Sequence, residues 1–386
     1  MDITRMHEIH MAPRIVFGVG AIQQAGTELA RLGVKHALVV TDAGLVQTEV
    51  PGIVTKSLDA ARLKWTLFGN VEPNPSIQTV ESGAALYQEA GCDGLVAVGG
   101  GSPIDAAKGI GVLVTNGGPM RDYFRGKKVE RPLPPLVAIP TTCGTGSEVT
   151  QFAVITDTDT HFKLGIGSPF NLPRVAIVDP QLLASLPARM VAATGMDALC
   201  HAVESYTSRA AQPVSDALNV EAMRLIAKHL RPAVANGNLE DLSGMATASL
   251  LAGLGFNNTR TTLVHAMSHA VTGHAKVPHG VANAILLPHA LAFNLIGNPE
   301  KHAGVAAALG QATAGLSCMD AARLSVRAVQ DLSGDIGIPK NLSAVGVTES
   351  LLDRMADDAM KSGGIALNPR RPSRDDVLRI YRSALG

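Results

Sequence analysis

The chain has 386 residues, of which 46% are hydrophobic and 17% are charged. It contains 33 basic and 33 acidic residues, so the formal net charge is zero. A chain of this length and composition can form about two domains with packed cores. The balanced charge argues against nucleic acid or an anionic membrane as the main partner. An aromatic content of only 3% argues against a stacking surface for single-stranded nucleic acid.

The cysteines and the N-terminal residues indicate the cellular setting. The four cysteines at positions 92, 143, 200 and 318 form no CxxC motif, which favours a reducing, cytoplasmic environment. The N-terminal residues lack the apolar core of a signal peptide. We find no uncharged apolar run of the roughly 18 residues that a spanning helix needs, and therefore predict no membrane segment.

Residues 1–184 alternate short apolar runs with helical patterns, which predicts a parallel sheet covered by helices on both faces. The helix predicted over 75–91 has Ser76 as its N-cap and Gly91 at its C-terminal end. The predicted strands lie at 36–42, at 65–69, from 94 and from 135 onwards, and at 174–180.

Residues 185–386 differ in character, because their segments are long, rich in Ala, Leu and Met, and helical in period. The Asp179-Pro180 and Leu186-Pro187 dipeptides place the domain boundary near 180–190. We therefore predict an α/β domain over 1–184 and an all-helical domain over 185–386. The predicted helices are 188–207, 213–230, 240–256, 260–274, 300–314, 319–336, 348–361 and 374–385.

Two loops rich in glycine and other small residues follow predicted strands of the first domain. Gly99, Gly100, Gly101 and Ser102 join a buried strand to a helix, so a phosphate could approach the backbone and the free N–H groups of the helix. A tight turn without a ligand explains the same glycines. The segment 141–147 is a second loop of this kind, and nucleotides bind at the carboxyl ends of strands in such sheets.

Two charged residues bear on which nucleotide would bind. Asp42 ends the first strong strand, where a carboxylate accepts hydrogen bonds from the adenosine ribose and repels a 2′-phosphate. This favours NAD over NADP, although a helix N-cap is the ordinary role of such an aspartate. Lys163 could contact the ribose or a phosphate, or extend into solvent.

A dense group of histidines predicts a metal site in the helical domain. His265 and His269 are four residues apart on one predicted helix, and Asp197 and His201 have the same spacing on another. We expect Pro278 to end the first helix and His279 to lie in the following turn. Asp197, His201, His265 and His279 would then bind one divalent ion. The alternative is that these are ordinary hydrogen-bonded core histidines.

Five motifs together resemble the iron-containing (group III) alcohol dehydrogenase family over almost the whole chain. The motifs are GGGSPIDAAK (99–108), PTTCGTGSEVT (140–150), GMDALCHAVES (195–205), VHAMSHAVTGHAKVPHG (264–280) and NAILLPH (283–289). The resemblance implies a Rossmann-like dinucleotide-binding domain followed by a helical domain, the architecture shared with dehydroquinate synthase-like enzymes.

The resemblance also implies the roles of individual residues. The metal ligands fall on Asp197, His201, His265 and His279, and the further histidine near the substrate, a candidate proton relay, falls on His269. Fe²⁺ is the implied ion, although this ligand set would also bind Zn²⁺, Mn²⁺ or Co²⁺. The implied NAD contacts fall on Asp42, Gly99, Gly100, Gly101, Ser102, Thr141, Thr142, Ser147 and Lys163.

The sequence departs from the family pattern near the expected substrate site. Arg260 and His274 stand where smaller or aromatic residues are more usual, and Phe256 could form an apolar wall. Added positive charge would suit a substrate carboxylate, so the predicted reaction is NAD-linked oxidation of a small alcohol that could be a hydroxy acid such as 4-hydroxybutyrate. The alternatives are a neutral diol or lactaldehyde reductase, a dehydroquinate synthase-like lyase, or a metal sensor. The family resemblance implies a homo-oligomer, most simply a dimer.

Overall fold

The computed structural model describes residues 6–10, 13–159 and 162–386, and the chain divides into two compact units. The first unit contains residues 10–142 and 146–183. Of the described residues, the second contains 6–9, the short loop 143–145 and 184–386. Residues 143–145, which belong to the second small-residue loop, therefore group with the helical second unit.

The first unit is built on a six-stranded sheet in the order β1-β8-β5-β4-β2-β3, in which every neighbouring pair is parallel. The predicted parallel sheet is therefore confirmed. Strand β1 and the antiparallel hairpin β6–β7 were not predicted, because a four-residue strand and a hairpin beside a glycine loop give weak patterns. The strands are β1 (Arg14–Phe17), β2 (His36–Asp42), β3 (Lys64–Val71), β4 (Gly94–Gly99), β5 (Leu136–Pro140), β6 (Phe152–Asp157), β7 (Phe162–Gly167) and β8 (Val175–Val178).

Apolar side chains from both faces of this sheet form two separate cores, as a doubly covered sheet requires. Alternate residues of β2 divide between them, since Leu38 and Val40 join one core and Val39 the other. Ser76 caps its helix by accepting from the Thr79 N–H, as predicted. The helices of the unit are α1 (Ala25–Arg31), α2 (Ala43–Val46), α3 (Val50–Ala60), α4 (Ile77–Glu89), α5 (Gly101–Asn116) and α6 (Met120–Phe124).

The second unit is helical throughout its described residues, apart from turns and loops, as predicted. The bounds of its first and last helices match the prediction. The helices are α7 (Ala188–Thr207), α8 (Pro213–Asn236), α9 (Leu239–Thr259), α10 (Leu263–Ala275), α11 (His279–Asn294), α12 (Pro299–Ala308), α13 (Cys318–Asp335), α14 (Leu352–Ala359) and α15 (Arg374–Leu385).

Helix α11 was not predicted, and the expectation that His279 lies in a turn was wrong. The turn is shorter than expected: Lys276 ends α10 with a left-handed φ of 55°, and Pro278 already serves as the N-cap of α11. His279 is therefore the first residue of a helix. Pro288 lies inside α11, and its missing N–H made the segment look non-helical in sequence.

One stretch of the described residues meets the length and composition criteria for a membrane-spanning helix. The stretch His279–Gly297 is long and apolar enough to cross a bilayer by these criteria alone. However, 56% of it is buried inside the protein, and the core helix of a globular domain meets the same criteria. The stretch is therefore weak evidence for a membrane segment.

Candidate functional site

Three side chains from three helices of the second unit converge on one point. Asp197 comes from the middle of α7, His265 from the start of α10 and His279 from the first position of α11. Their ligand atoms all lie within 4.8 Å of one another. The Nε2 atoms of His265 and His279 are 3.7 and 3.8 Å from Asp197 Oδ1. The Asp197 and His265 side chains are buried, whereas 28% of the His279 side chain is exposed.

A glycine allows α11 to approach α7 closely enough for this convergence. A Cβ at Gly280 would lie 2.3 Å from the carbonyl oxygen of Ala193, a distance that real Cβ atoms do not reach. Ala193 precedes Asp197 by one helical turn, and Gly280 follows His279 directly. The glycine of the sequence motif therefore places the start of α11 against the turn of α7 that precedes the aspartate.

His201, the fourth predicted ligand, is adjacent to this group but is not one of the three converging residues. Its ring stacks on Phe256 at 4.2 Å and on His265 at 4.5 Å between ring centroids. Its Nδ1 donates to the Gly144 carbonyl oxygen at 3.1 Å, because that oxygen can only accept. Burial lowers the pKa of His201 to about 4, so the ring is neutral and Nε2 retains its lone pair.

Two polar residues that the sequence analysis did not identify contact the converging side chains. The Asn283 Nδ2 lies 2.6 Å from Asp197 Oδ1, 3.3 Å from His265 Nε2 and 3.1 Å from His279 Nε2. Glu204 Oε2 accepts from His265 Nδ1. The i,i+4 spacing from His279 to Asn283 and the i,i+7 spacing from Asp197 to Glu204 could have revealed both residues.

The electrostatics of this group fit a divalent cation. Burial alone would raise the pKa of Asp197, but the imidazoles of His201, His265 and His279 outweigh burial and lower it below its usual value. Among the described residues, the ion pairs of Asp197 are with histidines. The converging atoms are thus a carboxylate oxygen and imidazole nitrogens, the donors that first-row divalent metals prefer.

A second possible set of ligands, formed by Cys200, Glu204 and His265, also lies within 4.8 Å. Burial raises the pKa of the Cys200 thiol to about 12, so the residue stays a neutral thiol rather than the thiolate that metals bind. The nitrogen of His265 near Glu204 is already engaged by that carboxylate. This set therefore does not fit a metal ion as well as the first.

His269, the predicted proton relay, lies one turn after His265 on α10 and is half-buried. Its ring centroid is 6.0 Å from that of His265 and 5.2 Å from that of His279. The structure therefore places a third imidazole of this segment beside the converging group, with part of its surface exposed.

The two predicted substrate cations have different surroundings. Arg260 is exposed and ends helix α9 with a φ of 61°, a left-handed conformation unusual for a side-chain-bearing residue. The Nε2 of His274 lies 2.8 Å from Asp358 Oδ2. A positive charge on His274 would therefore be balanced by this carboxylate, contrary to the expectation that it adds net charge.

The predicted phosphate loop of the first unit has the backbone geometry that requires glycine. Gly99 has a φ of 152°, and a Cβ there would lie 2.5 Å from the Pro103 ring. Helix α5 begins at Gly101, with Gly100 as its N-cap. Thr141 donates its backbone N–H to the Gly99 oxygen, and a Cβ at Gly100 would lie 3.3 Å from the Thr142 methyl group, so both small-residue loops meet at this helix end.

Asp42 caps the short helix α2, with Oδ1 accepting from the Leu45 N–H at 2.9 Å. Lys163 and Ser102 are both bonded to Asn74, which the sequence analysis did not identify. The Lys163 Nζ donates to Asn74 Oδ1 at 2.8 Å, and the Asn74 N–H donates to Ser102 Oγ at 3.1 Å. Burial lowers the pKa of Lys163 to about 8.

Ser147, the last predicted cofactor contact, belongs to an internal network. Its hydroxyl donates to Asp105 Oδ1 at 2.5 Å and accepts from the fully buried Lys108 Nζ at 3.0 Å. The same Nζ donates to the carbonyl oxygens of Ser147, Thr150 and Phe152 at 2.6–2.8 Å. Asp105 and Lys108 of the GGGSPIDAAK segment therefore hold the loop after β5 in place.

Protein-family models and known relatives match most of this chain. The model for "Iron-containing alcohol dehydrogenase" matches residues 12–180, and that for "Fe-containing alcohol dehydrogenase family, C-terminal" matches residues 191–385. The chain is 47% identical to 1,3-propanediol dehydrogenase of Citrobacter freundii, over 97% of this chain and 98% of the relative. It is 41% identical to NAD-dependent methanol dehydrogenase of Bacillus methanolicus, over 98% of this chain and 100% of the relative.

A solved structure, that of a 1,3-propanediol oxidoreductase, superimposes with a TM-score of 0.96. It is 46% identical in sequence, and the match covers 99% of this chain and 100% of the other. The resemblance inferred from the motifs is therefore confirmed. The chain belongs to the iron-containing alcohol dehydrogenase family, whose members are oxidoreductases that use iron and NAD.

Proposed function

We propose that this enzyme holds one Fe²⁺ ion through Asp197, His201, His265 and His279 and oxidises a short alcohol with NAD, or reduces the matching aldehyde with NADH. The observation that carries this proposal is the convergence of Asp197, His265 and His279 within 4.8 Å. Among the described residues, the ion-pair partners of the aspartate are histidines. Such an ion, when bound, acts as a Lewis acid that favours the alkoxide form of the alcohol.

Two further side chains would take part in proton transfer and in shaping the substrate site. His269 takes the alcohol proton towards solvent, because its half-buried imidazole lies beside His265 and His279 and imidazole is the commonest general acid or base in enzymes. Phe256, stacked on His201, forms an apolar wall of the substrate site. A dry, apolar wall strengthens electrostatic interactions and keeps competing water away from the reacting carbon.

We assign NAD binding to the small-residue loops of the sheet unit. The start of α5 at Gly101, with Gly99, Gly100 and Ser102, receives the pyrophosphate. Next along this edge of the sheet lie Thr141, Thr142, Asn74 and Lys163. Lys108 holds in place the loop that carries Ser147. Asp42 keeps Oδ2 for the ribose while Oδ1 caps α2. Substituting Asp42→Gly should therefore lower the preference for NAD over NADP.

We propose a small neutral alcohol or diol as the substrate. The relatives described above act on 1,3-propanediol and methanol, both of which are neutral. Asp358 would balance a positive charge on His274, which weakens one of the reasons that favoured an acid. Arg260 remains the residue through which a carboxylate would be bound, so a hydroxy acid is the second candidate.

The setting and assembly of the enzyme are part of the same proposal. Cys92, Cys143, Cys200 and Cys318 are all free thiols, which favours the reducing cytoplasm. Edge strand β1 exposes 43% of Phe17, and Val19 beside it is 57% exposed. Such an edge favours a homodimer, and light scattering of the purified protein would measure its mass.

The deciding experiment uses metal-free protein reconstituted with Fe²⁺ under anaerobic conditions. NADH formation is followed with 1,3-propanediol, methanol and 4-hydroxybutyrate. Net NADH formation that depends on the metal supports a dehydrogenase, whereas turnover without net NADH would indicate a lyase. Arg260→Ala should leave KM for the neutral alcohols unchanged. A rise in KM confined to 4-hydroxybutyrate would instead favour the acidic substrate.

A further inference from the structure

Glu204 is a buried carboxylate whose hydrogen bonds control the orientation of a metal-binding histidine. It lies on α7, seven residues after Asp197, and is only 2% exposed. One oxygen, Oε2, accepts from His265 Nδ1. The other, Oε1, accepts from the Thr262 hydroxyl at 2.8 Å and from the Val264 N–H at 2.6 Å. All the hydrogen bonds described for Glu204 therefore require it to accept.

These contacts determine the tautomer of His265. When Nδ1 donates its proton to Glu204, the neutral ring carries its lone pair on Nε2, the nitrogen that faces Asp197 at 3.7 Å and Asn283 Nδ2 at 3.3 Å. The Val264 N–H and the Thr262 hydroxyl belong to the chain just before His265, so the same carboxylate also fixes the start of α10. The ring orientation and the ligand nitrogen thus depend on one side chain.

We propose that Glu204 is a positioning residue for the metal site, which presents Nε2 of His265 in the tautomer that can bind an ion. The inference rests on the metal site proposed above. It concerns a residue that would not touch the ion or the substrate. Carboxylates in this position raise the basicity of the coordinated imidazole as well as fixing its orientation.

An isosteric substitution tests this inference sharply. In Glu204→Gln, the amide oxygen must face the Val264 N–H, because that group can only donate. The NH₂ group then faces His265 Nδ1 and forces the opposite tautomer, with a proton on Nε2. We therefore expect a loss of metal affinity of about 10–100-fold although the shape of the side chain is almost unchanged.

The measurement uses Co²⁺, whose visible spectrum reports the ligand field, titrated into metal-free protein against a competing chelator. The matched control is Thr262→Val, which removes one hydrogen bond to Oε1 and leaves His265 Nδ1 bonded to the carboxylate. Its affinity should stay within about threefold of the wild type, whereas that of Glu204→Gln should fall. Glu204→Asp keeps an acceptor-only carboxylate and should retain affinity better than Glu204→Gln.

Thermal unfolding of the same metal-free variants separates positioning from a purely structural role. If Glu204→Gln unfolds at a lower temperature but binds Co²⁺ as tightly as the wild type, the inference is overturned. If wild-type protein and His265→Ala bind Co²⁺ equally, the proposed metal site itself fails, which is a different outcome. Loss of affinity in Glu204→Gln with near wild-type unfolding of the metal-free protein supports the inference.

Discussion

Each of the two units buries a cluster of charged residues, and the two clusters differ in which groups balance their charge. In the sheet unit, Lys108 lies among three carbonyl oxygens, with Asp105 and Glu148 as its electrostatic partners. In the helical unit, the carboxylates of Asp197 and Glu204 face imidazoles.

This difference distinguishes the Lys108 cluster, which suits a structural role, from the Asp197 and Glu204 cluster, which suits ligand binding. A buried ammonium group with matched acceptors needs no further partner. The buried carboxylates of Asp197 and Glu204 have only histidines as ion-pair partners among the described residues, so an additional cation fits there. Both clusters are made of residues from conspicuous motifs. Motif residues therefore indicate chemistry only after their partners are known.

The largest expected effect comes from removing one of the converging ligands. His279→Ala should abolish tight metal binding and lower kcat/KM by about 10³-fold or more, since the Lewis acid accounts for several kcal/mol of barrier lowering. Metal content and NADH formation would be measured together. His274→Ala is the matched control, because that histidine pairs with Asp358 outside the cluster and should keep both metal and activity.

Disrupting the buried cluster around Lys108 should lower the stability of the protein rather than its metal binding. Lys108→Met leaves Asp105 buried beside no cation and removes the donor shared by three carbonyl oxygens. We expect the sheet unit to lose about 3–5 kcal/mol of unfolding free energy, measured by urea unfolding. Co²⁺ affinity should stay at the wild-type value. A variant as stable as the wild type would show that the cluster is not structural.

The pH dependence of stability provides a second test of the buried cluster around Lys108. Burial raises the pKa of Glu148 to about 7 from its usual 4.5, and the carboxyl is 2% exposed. A raised folded-state pKa means that stability is present below pH 4.5 and is lost as the pH rises through 7. Glu148→Gln should remove this loss, worth about 3 kcal/mol. Its unfolding temperature should exceed that of the wild type more at pH 8 than at pH 5; a constant difference would contradict the assignment.

The smallest effect is expected at the strained end of α9. Arg260 has a φ of 61° and a ψ of 171°, a region that glycine occupies easily and other residues do not. Arg260→Gly should therefore stabilise the protein by about 1 kcal/mol. Arg260→Ala removes the same charge but keeps the strain, and differential scanning calorimetry should show no gain. Equal gains for both substitutions would trace the effect to the charge.

The sequence predicted the architecture and the converging histidines better than the residues around them. Asp197 and His201 were found because a single helix carries both at i,i+4, and α7 has the predicted bounds. Asn283 was missed because prolines at 278 and 288 concealed α11. The burial of Lys108 could not be predicted from the sequence either. Its acceptors lie about 40 positions later in the chain, in a loop whose course depends on tertiary packing.

Only three residues, Lys276 to Pro278, connect α10 with α11. His265 and His279 therefore belong to one helical hairpin, whereas Asp197 lies on α7, far earlier in the chain. An ion bound by all three would act as a removable cross-link that closes this long loop. The temperature at which the helical unit melts should then rise with the free concentration of the ion, and chelation alone should reverse the rise.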